Sequence, residues 1–297
     1  MTERPTSSTA VVEADTWTFE LTFRALDREF RVVADHPDVP AIVGSLLHPF
    51  LTAGQALGAE TYAIADRSDG PGYAIYLDGD RILNTLRLDG AAKHVVWHAL
   101  KRAAEETDRF LVLHGAAVES NGVGVILAAP PDSGKTTLAA ALVGMGFRFL
   151  ADEYVLIDRE TGRVHPYARP FLLPVRSTAP LEQLLALPTG AIPRDASGET
   201  FVPPGRIRPG PLGEPCPVRY IVRPSYRPGG WTALQPCPRA NVILELARES
   251  FNFDRLGSSA LPLLAGVVEG AQTYGLPMSD LREAMLLVRG LVAGGSR

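Results

Sequence analysis

One unbroken stretch constrains this chain more than any other: Leu113 to Ile157, reading LHGAAVESNGVGVILAAPPDSGKTTLAAALVGMGFRFLADEYVLI. Val125-Ile126-Leu127-Ala128 is a short apolar run suited to a buried strand, and Thr137 to Met145 is Ala/Leu-rich and suited to a helix. Between them lies Ala129-Pro-Pro-Asp-Ser-Gly-Lys-Thr136. A strand, a tight loop and a helix start leave several backbone N–H groups without partners, aimed at one point with the helix dipole behind them. Phosphate oxygens satisfy such groups. The segment is therefore a P-loop, G-x-x-x-x-G-K-[ST], with Ala129 at the position of the first glycine. Pro131, Asp132, Ser133, Gly134, Lys135, Thr136 and Thr137 are the expected nucleotide-binding residues. Gly134 lets the backbone approach phosphate closely. Lys135 supplies a cation to the β- and γ-phosphates, and the Thr136 hydroxyl can ligate Mg²⁺.

Gly146 follows as a helix C-cap. Phe147 to Glu153 then reads as a strand ending in two adjacent carboxylates. A helix between two strands implies a parallel pair with a right-handed crossover, which carries Asp152 and Glu153 to the sheet edge that holds the phosphate loop. Adjacent strand residues face opposite ways, so the acids divide their work. One holds the metal, directly or through water, and the other accepts the proton of an attacking hydroxyl. Upstream, Leu111-Val112-Leu113-His114 is another apolar run, ending at His114-Gly115, and Asn121-Gly122 marks a hairpin leading into the P-loop strand. His114 is either an acid/base or phosphate-binding group, or a hydrogen-bonded histidine near a strand end.

With these residues in place, the stretch resembles HPr kinase/phosphorylase, which carries a His-Gly strand, a P-loop and an acidic pair a short helix later. That arrangement is shared distantly with phosphoenolpyruvate carboxykinase. The nearer resemblance is to the HPr-kinase-related kinases of the "kinase A" group, through HGAAVESNG, the APPDSGKT loop, LADEYVLID and the Arg169-Pro-Phe segment. These kinases are often found with peptide-modification genes, including lasso-peptide clusters. The clear resemblance covers about residues 109–175 and a weaker one reaches Ser250-Phe-Asn-Phe253. It implies an α/β fold with a P-loop kinase core, ATP as donor, Mg²⁺, and a serine hydroxyl on a peptide or protein as acceptor. It also implies Asp152 as the catalytic base, Glu153 and Thr136 as metal ligands, Lys135 on the phosphates and His114 near the γ-phosphate. HPr kinase has aspartate where this chain has Glu153, and its acceptor-recognition signature is not recognisable here.

The chain has 297 residues, 46% hydrophobic and 21% charged, enough for one large domain or two small ones. A net charge of -4 without strong blocks argues against nucleic-acid and membrane partners. Cys216 and Cys237 are the only cysteines, so a disulfide framework or zinc site is not expected and a cytoplasmic setting is. Residues 1–15 read as a disordered tail and 16–108 as a small N-terminal α/β region. Residues 109–297 read as the P-loop kinase domain. In the N-terminal region, Trp17–Phe23 and Phe30–Val33 form a hairpin around Asp27-Arg28-Glu29, and Val39–Phe50 is helical. Tyr62–Ala65, Tyr73–Leu77 and Arg81–Leu88 are strands, and a helix runs from Asp89 to about Glu106. Its His94 and His98 read as surface histidines, because no third ligand is evident.

Beyond the acids, Arg169 can contact phosphate or lie on the surface. Residues 188–217, dense in Pro and Gly and carrying Arg194, Arg206 and Arg208, read as a lid or a linker. Val218–Val222 and Thr232–Leu234 read as a hairpin, and Ala240–Glu249, Leu261–Glu269 and Asp280–Val292 as helices, the last capped by Ser279. Asn252 can touch an acceptor, while Phe251 and Phe253 pack in the core. Two rivals stand beside peptide phosphorylation: a kinase of a small hydroxylated molecule such as free serine, and a nucleotide-binding module without phosphotransfer. A homo-oligomer stays open.

Overall fold

The computed structural model of the protein describes residues 17–52, 58–192 and 198–294. The expected N-terminal tail and Arg194 lie outside these residues. The chain divides into two units, Met1–Ala103 and Ala104–Arg297.

In the first unit, alternating apolar residues build β1 (Phe19–Ala25) and β2 (Arg28–Ala34). The connecting turn is Leu26-Asp27, not the polar triplet expected, since Ala25 pairs with Arg28 and Leu26 takes φ 54°. Arg28 and Glu29 open β2, where Glu29 is paired with Arg24 across the strands. Helix α1 (Val39–Leu47) carries the chain to β3 (Glu60–Asp66), parallel to β2. β4 (Tyr73–Leu77) and β5 (Asp80–Thr85) complete a five-stranded sheet in the order β1-β2-β3-β4-β5. Helix α2 (Leu88–Glu106) meets β3 where the Tyr62 hydroxyl lies 2.6 Å from His98 Nδ1. His94 and His98 stack 5.9 Å apart and are half-buried. They are packed on the helix rather than projecting from it.

The second unit is built on the P-loop stretch. β6 (Phe110–Ser120) turns at Asn121-Gly122 into β7 (Val123–Leu127). Both turn residues have positive φ, 54° and 78°, the requirement of a type I′ hairpin. α3 (Lys135–Met145) leads to β8 (Arg148–Asp158), and β9 (Val164–His165) folds back on β8. β10 (Phe171–Pro174), α4 (Val175–Leu184), β11 (Glu199–Val202) and α5 (Pro204–Ile207) follow. Then come β12 (Val218–Tyr226), β13 (Gln235–Pro236), α6 (Arg239–Arg248), α7 (Phe253–Leu256), α8 (Ala260–Glu269), β14 (Gln272–Met278) and α9 (Leu281–Gly294). The main sheet has the order β13-β14-β12-β7-β6-β8-β9, and β10 and β11 form a two-stranded sheet. This is the α/β class expected from the sequence. No helix among the described residues is long and apolar enough to cross a membrane.

Several elements differ from expectation. β7 and β8 run the same way but do not touch, because β6 lies antiparallel between them. Neither β6 nor β8 stops at its polar residues. Apolar residues resume on both sides of His114 and of Asp152-Glu153, and the two strands pair along their full length. β12 is a parallel strand between β7 and β14 rather than half of a hairpin. Asp280 caps α9, its Oδ1 accepting from Glu283 N at 2.8 Å, while the Ser279 hydroxyl donates to Gly230 O. The described part of 188–217 packs against the rest of the second unit. β11 pairs with β10, and Ile192, Val202 and Ile207 enter the core beside α3. Gly213 N donates to Phe149 O at 2.8 Å, and Gly213 lies so close to Leu150 that a Cβ would be 2.7 Å from its Cδ2.

Candidate active site

The loop expected to hold phosphate meets α3 at Gly134, which is left-handed (φ 93°) and offers no side-chain cap. That φ is what calls for glycine here, since a Cβ would meet only the flexible tip of Met278, 2.4 Å from its Cε. The first N–H groups of α3 thus face the loop without a protein side chain to receive them. Ser133 Oγ is buried beside them without a hydrogen-bond partner. Lys135 is buried, and its Nζ donates to Ala129 O at 2.6 Å and Pro130 O at 2.9 Å. Burial holds the Lys135 pKa below the usual lysine range, against the pull of Glu249, Asp152, Asp132 and Glu153. Pro131 and Asp132 are exposed at the loop tip, where Asp132 pairs with Arg176 at 3.1 Å. The Thr137 hydroxyl donates to Ser177 at 3.1 Å, so α4 braces the loop's helix.

Register brings the acids to this loop. Ala116 of β6 pairs with Leu127, the last residue of β7, on one side and with Asp152 on the other. Asp152 therefore lies level with the start of the loop although it is mid-strand. Its Oδ1 accepts from the Thr136 hydroxyl at 3.0 Å and its Oδ2 from Leu172 N at 3.2 Å. Burial pushes its pKa up to about 6, opposed chiefly by Arg169. Glu153 turns away from this pair. It adopts φ 70°, a left-handed conformation rare for a non-glycine residue in a strand and of the kind that gathers at functional sites. Its Oε2 lies 2.8 Å from Arg169 Nη1.

Arg169 is not a surface residue. It is 2% exposed, with its guanidinium over the rings of Tyr154 and Phe201. Its Nε and Nη1 have no hydrogen-bond partner among the described residues, so the contact with Glu153 is an ion pair off the hydrogen-bond direction. What Arg169 touches is a carboxylate of the acidic pair.

His114 lies on the same face of β6 as Ala116, the partner of Asp152. Its Nδ1 is 2.9 Å from Glu249 Oε2, and both side chains are about a quarter exposed. The chain from Glu249 to Asn252 runs beside the half of β6 that β7 leaves unpaired. His114 N donates to Glu249 O at 2.7 Å and Phe251 N to Val112 O at 2.9 Å. Asn252 locks this seam. Its Oδ1 accepts from Val112 N, and its Nδ2 donates to Thr107 O and Phe110 O. All of that leaves Asn252 buried at 3% exposure, so the acceptor contact expected of it is replaced by a structural role. Arg208 packs its guanidinium against Gly146, at the end of α3 remote from the loop, and does not serve as a finger on phosphate.

The oxygens of Thr136 and Asp152 lie together beside the loop, a hard donor pair of the kind Mg²⁺ uses with substrate phosphates and retained waters. Among the described residues no group of three or more His, Cys, Asp or Glu is arranged to hold a metal alone. The donor set fits a metal that arrives with phosphate. Glu249 escaped the sequence reading because nothing local marks it; it reaches the site only through the seam along β6.

No protein-family model matches the sequence, and no curated protein does. Among solved structures, the Hpr(Ser) kinase/phosphatase from Coxiella burnetii is similar over 63% of this chain and 99% of that one, at a TM-score of 0.33 and 10% identity. Likeness at that level transfers no residue roles.

Proposed function

We propose that the second unit transfers the γ-phosphoryl group of ATP to a serine-type hydroxyl on a peptide or protein. The observation that carries the reading is the 3.0 Å hydrogen bond from Thr136 to Asp152, formed beside a buried lysine at an uncapped helix start. Lys135 and the loop N–H groups hold the phosphates. Thr136 and Asp152 hold Mg²⁺, which when bound neutralises charge on the β- and γ-oxygens. This division differs from the one implied by the resemblance, which has Asp152 as base and Glu153 on the metal. Asp152 already shares Thr136, and Glu153 is engaged by Arg169.

The proton of the acceptor hydroxyl goes to His114. A carboxylate at Nδ1 requires Nδ1–H, which leaves the lone pair on Nε2 and fixes the ring's orientation. Glu249 then stabilises the imidazolium. The peptide acceptor rests on the sequence resemblance to kinases of peptide-modification clusters; free serine is the smaller acceptor to be tested beside it.

The test is transfer from labelled ATP to serine-containing peptides and to free serine, read as phosphorylated product. Lys135→Ala is expected to lower transfer by at least about a hundredfold. His114→Asn is expected to lower kcat by roughly 10²–10⁴ with little change in ATP affinity. A wild-type protein that binds Mg²⁺ and ATP but phosphorylates no hydroxyl would leave only the nucleotide-binding module.

A further inference from the structure

The two flanks of the phosphate loop are unlike. β6 and β8 lie on one side of β7 and bring the acids; β12 lies on the other side and ends at Tyr226. A nucleotide whose terminal phosphates face Thr136 and Asp152 must direct its base away from that flank. On the opposite flank Tyr226 is coupled to the loop itself. Its N–H donates to Ser133 O at 3.1 Å, and a Cβ on Gly134 would lie 3.7 Å from Tyr226 Cβ. Yet the Tyr226 side chain is 55% exposed, and Trp231, five residues on, is 66% exposed.

The backbone carrying these two rings is tied down. Arg227 N donates to Met278 O at 2.9 Å and Gly230 N to Arg227 O at 3.1 Å. The Ser279 hydroxyl donates to Gly230 O at 2.7 Å, and the N–H groups of Ser279 and Asp280 both donate to Thr232 Oγ1 at 3.1 Å. A single exposed aromatic residue is ordinary. Tyr226 is set apart because its own backbone N–H donates to the loop, so its exposed ring starts next to the loop and can serve as a stacking surface. Every nucleobase offers a π-face to such a surface.

We propose that Tyr226 is the nucleobase platform of this site. The occupant is the purine ring of the nucleotide whose phosphates the loop holds, so the proposal rests on the nucleotide reading above. It makes Tyr226 a determinant of affinity for ATP that does not act on the phosphates.

The experiment compares ATP with inorganic tripolyphosphate, each titrated calorimetrically with Mg²⁺ into the full chain. Tyr226→Ala is expected to weaken ATP by roughly ten- to a hundredfold and leave tripolyphosphate unchanged. Tyr226→Phe, which keeps the ring, is expected to bind both as wild type does. An alanine variant that binds ATP normally, or that loses ATP and tripolyphosphate equally, overturns the platform while the loop reading stands. A wild-type protein that binds neither ligand, or a Lys135→Ala variant that binds both unchanged, overturns the loop reading and the platform with it.

Discussion

The two units treat charge differently. Among its described residues the first unit buries no Asp, Glu, Lys or Arg; its buried polar side chain is Thr22. The second buries Glu119, Lys135, Asp152, Asp158, Arg169 and Glu182. Three of these serve the backbone at turns: Glu119 accepts from Gly122 N, Asp158 from Glu160 N and Thr161 N, and Glu182 from Ile192 N. The other three, Lys135, Asp152 and Arg169, converge where β7 gives way to the loop. Removing a charge from water costs several kcal/mol unless partners compensate. The three charges that no turn accounts for are the ones that meet at the proposed site.

The comparison breaks first at Arg169. Arg169→Met is expected to destabilise the second unit by about 3 kcal/mol, because it strands Glu153 in a partly buried site. The denaturant midpoint measures this, and a loss below about 1 kcal/mol would make the guanidinium a bystander.

Asp152 gives the next effect. Burial raises its pKa in the folded protein to about 6, above the ordinary aspartate value of 3.8. Between these values the folded protein keeps a proton that the unfolded chain has released. Stability from this group is therefore full below about pH 4 and is lost as pH rises through 6, by up to about 3 kcal/mol. Unfolding of wild type against Asp152→Asn across that window isolates the contribution of Asp152, and parallel pH profiles would show that it has none. Ligation of a metal requires the ionised form, so Mg²⁺-dependent nucleotide affinity is expected to fall below about pH 6.

The smallest effect belongs to the first unit. Arg24 pairs with Glu29 on the surface, at 61% side-chain exposure. Arg24→Ala is expected to change stability by less than about 1 kcal/mol. A larger loss would show that the first unit, too, depends on its charges.

The loop, its helix and the acids were legible because each is written in contiguous residues with a period or a motif. The place of β6 between β7 and β8 was not, since a helical crossover implies a parallel pair without saying what lies between. Arg169 was ambiguous because an arginine before proline reads alike in solvent or in a core. Its burial depends on Tyr154 and on Phe201, a residue of the Pro/Gly-rich segment 188–217. In that segment composition speaks for a lid or a linker, while Val202 and Ile207 are the residues that enter the core. Glu249 could not be found at all from local pattern.

The seam that fixes Glu249 against His114 joins residues 135 positions apart. The contact cannot form during synthesis until Glu249 has emerged. During synthesis a chain that has emerged through β8 holds the loop lysine and both acids, but the partner of His114 is still unmade. At ribosomal speed the delay is on the order of ten seconds. Until then the chain lacks the group that orients the proposed base, and β12 and β14, which complete the sheet beside the loop, arrive only during or after that interval.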